Sequence, residues 1–165
     1  LLARFDAGGL SLRRERLALD AVVERQARLR RPQAEARGQT LDCHLAEGLR
    51  VVGDADLLAR LVGAGLDNAV AYTPSGGAIT VRLAAEAGQA RLEIADNGPG
   101  MSDEQRRRAF ERFYRGDPSR QRHQGGAGLG LAIIEEVARE HDGEARLLSA
   151  PGAGTRLVVT LPLAP

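Results

Sequence analysis

Three short stretches hold the residues best suited to chemistry. Asp96-Asn97-Gly98-Pro99-Gly100-Met101 follows directly on an alternating segment. A carboxylate at a strand end, beside glycines that let a ligand approach the backbone, suits recognition of a base amino group; the same residue types also make ordinary turns. Gly125-Gly126-Ala127-Gly128-Leu129-Gly130-Leu131 opens a helical pattern. Glycines without β-carbons expose N–H groups at a helix N-terminus, where the dipole favours anions. Such a run also serves as a linker, and no Gly-Lys-Ser/Thr follows to complete a Walker loop. Asp67-Asn68-Ala69 lies inside a long helical pattern. Asn68 falls near its apolar stripe, where a neutral oxygen could ligate Mg2+ through phosphates; a capping or solvated asparagine is the plainer alternative.

The surrounding elements follow from periodicity. Leu1 to Phe5 reads as the end of a helix stopped by Gly8-Gly9. An apolar patch from Leu17 to Val23 leads into a helix to about Arg37, closed by Gly38, with Pro32 expected to kink or divide it. Short strands are expected near Thr40–Leu45 and Leu49–Val52. Asp54 suits an N-cap for the Asn68 helix, whose Leu57/Leu58, Leu61/Val62 and Ala69/Val70 pairs recur at helical spacing. Ile79, Val81 and Leu83 alternate with polar or small residues, and with Arg91–Ile94 they predict an antiparallel hairpin turned at Gly88-Gln89. A short helix near Asp103–Phe110, a helix from Leu129 to Glu140 and strands at Glu144–Ser149 and Thr155–Leu161 complete the chain. Strand pairs interrupted by long helices point to an α+β fold, a mixed sheet with helices layered on one face.

Composition narrows the class. The 165 residues are 43% hydrophobic and 27% charged, a globular balance. A net charge of +1 argues against a nucleic-acid partner. All 23 basic residues are arginine, so any cationic side chain on a phosphate must be a guanidinium. The one cysteine, Cys43, allows no internal disulfide and fits a reducing compartment. No apolar run approaches the roughly 18 residues of a membrane span. The chain begins with Leu1 rather than Met and is expected to be cytoplasmic, a piece of a longer protein that could be anchored upstream.

In their order and spacing these stretches resemble the histidine-kinase branch of the GHKL ATP-binding superfamily. Asn68-Ala69-Val70-Ala71-Tyr72-Thr73-Pro74 is similar to its N box and Asp96-Asn97-Gly98-Pro99-Gly100 to its first glycine box. Ala109-Phe110-Glu111-Arg112-Phe113-Tyr114-Arg115 is similar to the F box, and Gly126-Ala127-Gly128-Leu129-Gly130-Leu131-Ala132-Ile133 to the second glycine box. Pro151-Gly152-Ala153-Gly154-Thr155 is similar to the closing turn. The resemblance covers roughly Leu17 to Pro162, and Leu1 to Arg16 looks like the tail of the dimerisation hairpin that precedes such a domain. It implies a two-layer Bergerat fold with ATP and Mg2+ as cofactors and a mobile lid at about Gly116 to Gly125. It further implies that Asp96 binds the adenine amino group, Asn68 holds Mg2+ and Tyr72 lines the adenine pocket. Gly98 and Gly100 would wall the base, Gly126, Gly128, Leu129 and Gly130 would cover the phosphates, Thr155 would complete the pocket, and Arg115 would meet the γ-phosphate. The implied activity is transfer of the γ-phosphoryl to a histidine on a dimerisation domain outside this chain, with a response-regulator receiver domain as the indirect partner. The full protein would be a homodimer and this piece a monomer.

The chain departs from that pattern at two alanines. An asparagine is usual one turn before the metal ligand, where Ala64 stands, and a Lys or Arg three residues after it, where Ala71 stands. The competing reading is therefore a degenerate nucleotide-binding module without kinase activity. Gyrase-like and chaperone ATPases carry a catalytic glutamate at the position of Ala64, so those branches fit poorly. Gly63 and Gly65 flank it and should soften the helix by roughly 1 kcal/mol each relative to alanine. None of His44, His123 and His141 stands in the acidic, helical context of an acceptor, and for His141 a helix C-terminus that favours positive charge is reason enough. The isolated chain incubated with labelled ATP is therefore expected to carry no acid-labile phosphate; label on any of its own histidines would overturn this.

Overall fold

A computed structural model describes residues 12–114 and 128–165. The stretch Leu1 to Phe5, Arg115, the expected lid and Gly126 lie outside the described residues. The elements run β1 (Glu15–Ala18), α1 (Leu19–Ala36), β2 (Thr40–Leu45), β3 (Arg50–Gly53), α2 (Ala55–Tyr72), β4 (Ala78–Glu86), β5 (Gln89–Asp96), α3 (Asp103–Arg108), α4 (Gly130–Glu140), β6 (Glu144–Ser149) and β7 (Thr155–Pro162). Five strands form one mixed sheet in the order β2-β4-β5-β7-β6, with β2 parallel to β4 and the other pairs antiparallel.

Alternation decides which face of this sheet is buried. Val81, Ile94, Leu157 and Leu147 stand opposite one another across four strands, and all are buried. Leu57, Leu61 and Leu66 of α2, Val23 of α1 and Ile134 and Val137 of α4 close the same core. One register position over, the outer face carries Arg82, Glu93, Val158 and Arg146 in a row. Glu93 is buried there, held by Arg91 at 2.9 Å and by Arg82 at 3.7 Å. A charge removed from water needs such partners. The helices thus pack on one face of a mixed sheet, as the strand pattern implied.

Several local expectations hold in detail. Asp54 caps α2, its Oδ1 accepting from the N–H groups of Asp56 and Leu57 at 3.1 Å each. β4 and β5 form the expected hairpin, and α4 turns Ile134, Val137 and Ala138 inward, although Leu131 is only half-buried and Ala132 is buried beside them.

Others need correction. Pro32 does not divide α1, which is one helix of 18 residues. It sits on the solvent face, where the carbonyl its ring leaves unpaired remains hydrated. The segment before α1 contains a strand that the sequence pattern did not show: β1 pairs antiparallel with β3. Leu163 bridges to Val51 and the Ala164 N–H bonds the Arg50 carbonyl, so β3 also receives the chain's far end.

Gly63 and Gly65 do more than soften α2. A β-carbon at 65 would stand 2.8 Å from Ile94 Cδ1 and 2.9 Å from Leu157 Cδ2, and one at 63 would press into the Arg30 guanidinium of α1. The glycines let α2 lie close against the sheet on one side and α1 on the other.

His141 stands at the C-cap of α4 and is buried, its Nδ1 within 2.7 Å of the Val137 carbonyl, while Nε2 accepts from the Asp54 N–H at 3.0 Å. It joins the end of α4 to the start of α2. A β-carbon at Gly53 would lie 2.5 Å from its Cδ2 and 2.9 Å from Leu58 Cδ1. Gly53→Ala is expected to lower the unfolding free energy by about 1–3 kcal/mol through overpacking; an unchanged denaturation midpoint would refute the close contact.

Candidate functional site

The inward parity of β5 runs through Leu92 and Ile94 and ends on Asp96, paired with Ile79 on one side and Thr155 on the other. The carboxylate therefore stands on the helix side of the sheet, where the strand runs out. Burial pushes its pKa up, and backbone N–H groups of Gly98 and Thr155 pull in the opposite direction. The Gly98 N–H donates to Oδ1 at 2.9 Å. A β-carbon at 98 would stand 2.8 Å from the Tyr72 carbonyl and 2.9 Å from Asp96 Oδ1. Residue 98 has no side chain, and so the loop packs directly between Asp96 and the end of α2.

Several contacts hold the rest of the loop. Asn97 Oδ1 accepts from the Ala78 N–H at 2.8 Å, which ties the loop to the start of β4. Gly100, with φ +71°, lies against the Ala150 carbonyl, and Gly154, also at φ +71°, lies against the Asp96 carbonyl. Neither approach leaves room for a β-carbon, and both conformations favour glycine. Ser149 completes the joint: its Oγ accepts from the Met101 N–H at 2.9 Å, donates to the Gly154 carbonyl at 2.8 Å and lies 3.0 Å from Thr155 Oγ1. Sequence reasoning missed Ser149, which has no motif of its own. Thr155, expected to complete the pocket, turns its hydroxyl toward Ser149 and its backbone toward Asp96.

On α2, Ala64, Asn68 and Ala71 recur at helical spacing, with Tyr72 as the last helical residue. Asn68 is half-buried and Tyr72 is 44% exposed. Gly130, the first residue of α4, has Ala64 Cβ as its nearest neighbour, 4.0 Å from where its own β-carbon would stand. The α2 stripe therefore looks across at the N-terminus of α4, and its far end meets Gly98. Gly128 is left-handed at φ +69° and its carbonyl accepts from the Phe113 N–H at 3.0 Å, so the F-box segment is stitched to the second glycine run. Phe113 is itself at φ +63° and 71% exposed, whereas Phe110 packs on the core.

Asp96, Gly98, Tyr72 and Thr155 thus gather near the C-terminal end of α2, and one turn before Asn68 the same helix lies near Gly130 at the start of α4. A carboxylate acceptor and a glycine-rich helix N-terminus have the chemistry for a base amino group and for an anion respectively. Among the described residues no cluster of three or more His, Cys, Asp or Glu could hold a metal ion. No described helix is long and apolar enough to cross a membrane.

Comparison with known proteins agrees with this geometry. The family described as histidine kinase-, DNA gyrase B- and HSP90-like ATPase matches residues 53–165. The chain is 36% identical over 162 residues to the signal transduction histidine-protein kinase BaeS of Escherichia coli K12, covering 98% of this chain and 35% of that protein. It is 34% identical to the solved mycobacterial sensor histidine kinase MprB, with a TM-score of 0.77 over 92% of this chain and 99% of that one. Full-length ShkA in complex with AMPPNP superposes with a TM-score of 0.86 at 26% identity, covering 98% of this chain and 34% of ShkA. The chain belongs to the histidine kinase-, gyrase B- and HSP90-like ATPase family. Within it, this is the ATP-binding catalytic domain of the sensor histidine kinases, and it spans about a third of the length of BaeS.

Asp96 also carries a stability consequence. Its pKa is raised in the folded state, so between the unfolded and folded values the native chain binds more protons than the unfolded one, and stability falls as pH rises through that window. Above it, the ionised carboxylate opposes folding. Asp96→Asn keeps an oxygen for the Gly98 N–H and is expected to unfold at higher denaturant than the parent at pH 7, the difference closing as pH falls through the carboxylate range. A less stable variant at pH 7 would contradict this.

Proposed function

We propose that this domain binds Mg-ATP and donates its γ-phosphoryl to a histidine on a dimerisation domain outside residues 12–165, within a homodimeric sensor kinase that passes the group to a receiver domain. The observation that carries the reading is the half-buried Asp96 carboxylate at the end of β5, on the helix side of the sheet and drawn by Gly98 against the end of α2. The AMPPNP complex of ShkA, which shares this fold, supports a nucleotide there.

In this reading Asp96 accepts from the adenine amino group, and Tyr72 covers the base from the end of α2. Gly98 and Gly100 let the base lie against backbone. Asn68 offers its amide oxygen to Mg2+, while Gly126, Gly128, Leu129 and Gly130 offer N–H groups to the phosphates. Bound Mg-ATP supplies the phosphoryl group and the divalent charge that offsets its oxygens. Transfer forms an N–P bond at the acceptor imidazole and breaks the bond between the γ-phosphorus and the bridging oxygen, with ADP leaving. Such a reaction depends mainly on positioning and charge stabilisation, and Arg115 is assigned to the γ-phosphate. With no glutamate at position 64, α2 offers no general base for water, and hydrolysis by the domain alone should be very slow. Whole sensor kinases of this kind would keep the domain on the cytoplasmic side of an anchoring membrane.

Adenine recognition is the testable core. A carboxylate accepts from an amino group and is mismatched to the guanine carbonyl, so ATP should bind more tightly than GTP. Asp96→Asn should weaken ATP by about 1.5–3 kcal/mol, the range for a hydrogen bond to a charged group. Titration of a fluorescent ATP analogue with each competitor measures both, and equal ATP and GTP affinity in the parent would refute the assignment. Supplied with its dimerisation domain in trans, the parent should label that domain's histidine and Arg115→Ala should not; nucleotide binding without any transfer would favour a domain that binds but does not phosphorylate.

A further inference from the structure

The apolar row that crosses the sheet through Ile94, Leu157 and Leu147 has a polar counterpart at its open end. Asp96 of β5 stands opposite Thr155 of β7, and Thr155 stands opposite Ser149, the last residue of β6. Alternation puts all three side chains on the helix side, and all three residues are half-buried.

The hydrogen bonds of this row fix where its two hydroxyl protons lie. Ser149 Oγ receives the Met101 N–H at 2.9 Å, a group that can only donate. It lies 2.8 Å from the Gly154 carbonyl, a group that can only accept, so the single serine proton is directed there. Thr155 Oγ1 is 3.0 Å from the same Oγ. With the serine proton committed, Thr155 is the donor of that bond. The threonine hydroxyl has then spent its own proton and keeps only lone pairs. It offers them beside Asp96, whose ionised carboxylate also only accepts. Directly paired residues of neighbouring strands have β-carbons about 4.5–5.5 Å apart, so one ligand group can reach both side chains. An exocyclic amino group has two hydrogens and suits two acceptors. A ring carbonyl in the same place meets lone pairs on both sides and no donor.

We propose that Ser149 is a positioning residue that determines base specificity: by taking the Thr155 proton it leaves Asp96 and Thr155 as paired acceptors, which select an amino group at carbon 6 of a purine and reject a carbonyl there. This role rests on the nucleotide reading above and deepens it, because without Ser149 the threonine could turn its proton toward a carbonyl. Ser149 itself acts through Thr155 and belongs to none of the sequence motifs.

The test is competition of ATP and of inosine triphosphate, which carries a carbonyl at carbon 6, against a fluorescent ATP analogue. Five proteins are compared: the parent, Ser149→Ala, Ser149→Thr, Thr155→Val, and Ser149→Ala combined with Thr155→Val. The parent should bind ATP more tightly. Ser149→Ala should shrink the ratio of the two Kd values roughly fivefold, about the weight of one neutral hydrogen bond. Ser149→Thr keeps a hydroxyl and should hold the ratio near that of the parent. Thr155→Val should also lower the ratio, and adding Ser149→Ala to it should change the ratio no further. A mere brace for the loops would weaken both nucleotides alike, so an unchanged ratio in Ser149→Ala overturns the assignment, whatever happens to the absolute affinities or the unfolding midpoint. If Ser149→Ala does not fold, Thr155→Val decides, and an unchanged ratio there overturns the assignment equally. A parent that binds neither nucleotide, or both with equal affinity, would instead sink the nucleotide reading itself.

Discussion

The contact on which this domain depends is the approach of two backbone segments at the open end of β5 and β7. Gly100 lies on the Ala150 carbonyl and Gly154 lies on the Asp96 carbonyl, each closer than a β-carbon would allow. The sheet register brings Asp96 opposite Thr155, and the glycines let the two loops that leave these strands close over one another. Without that closure the Asp96 carboxylate would sit at a frayed strand end, well hydrated and poorly aimed. With it, the carboxylate is partly desolvated and points to one place. Ser149 spends its hydroxyl on both loops, so the rigidity of the joint is polar as well as steric.

A second constraint shapes the other side of the pocket. α2 is clasped between α1 and the sheet, and the two glycines flanking Ala64 make that clasp tight. Residues buried on both sides fix the rotation of α2, and the half-buried Ala64 is left to look toward the start of α4. The cost in helix propensity at Gly63 and Gly65 is offset by the close packing that α2 gains on either side.

Much of this was legible in the sequence where the signal is local. The β4–β5 hairpin showed in strict alternation, the start of α2 in Asp54, and the pocket in glycine-rich runs of fixed order. Three kinds of feature were not. β1 is four residues long and carries no alternation strong enough to separate it from the helix that follows, because its pairing with β3 is decided by tertiary contact. Pro32 obeys a rule about missing hydrogen bonds, but the rule is weak where water can serve the freed carbonyl. Ser149 and His141 each have a partner far away in the chain, Met101 and Asp54. Each is an ordinary residue by itself, and only the tertiary packing brings that partner within reach.

The pairing of β3 with both ends of the described chain has a mechanical meaning. β1 joins it from upstream, and Leu163 and Ala164 join it from downstream. Any tension arriving from a preceding segment is borne first by a four-residue ladder and by the exposed Arg14–Asp142 pair, before it reaches the sheet. The ion pair is wet and would yield early, whereas Leu17 of β1 and Val51 of β3 belong to the buried core, so the ladder shares its apolar anchor with the helices. A pull or twist from upstream therefore meets the core through Leu17 before it meets the five-stranded sheet.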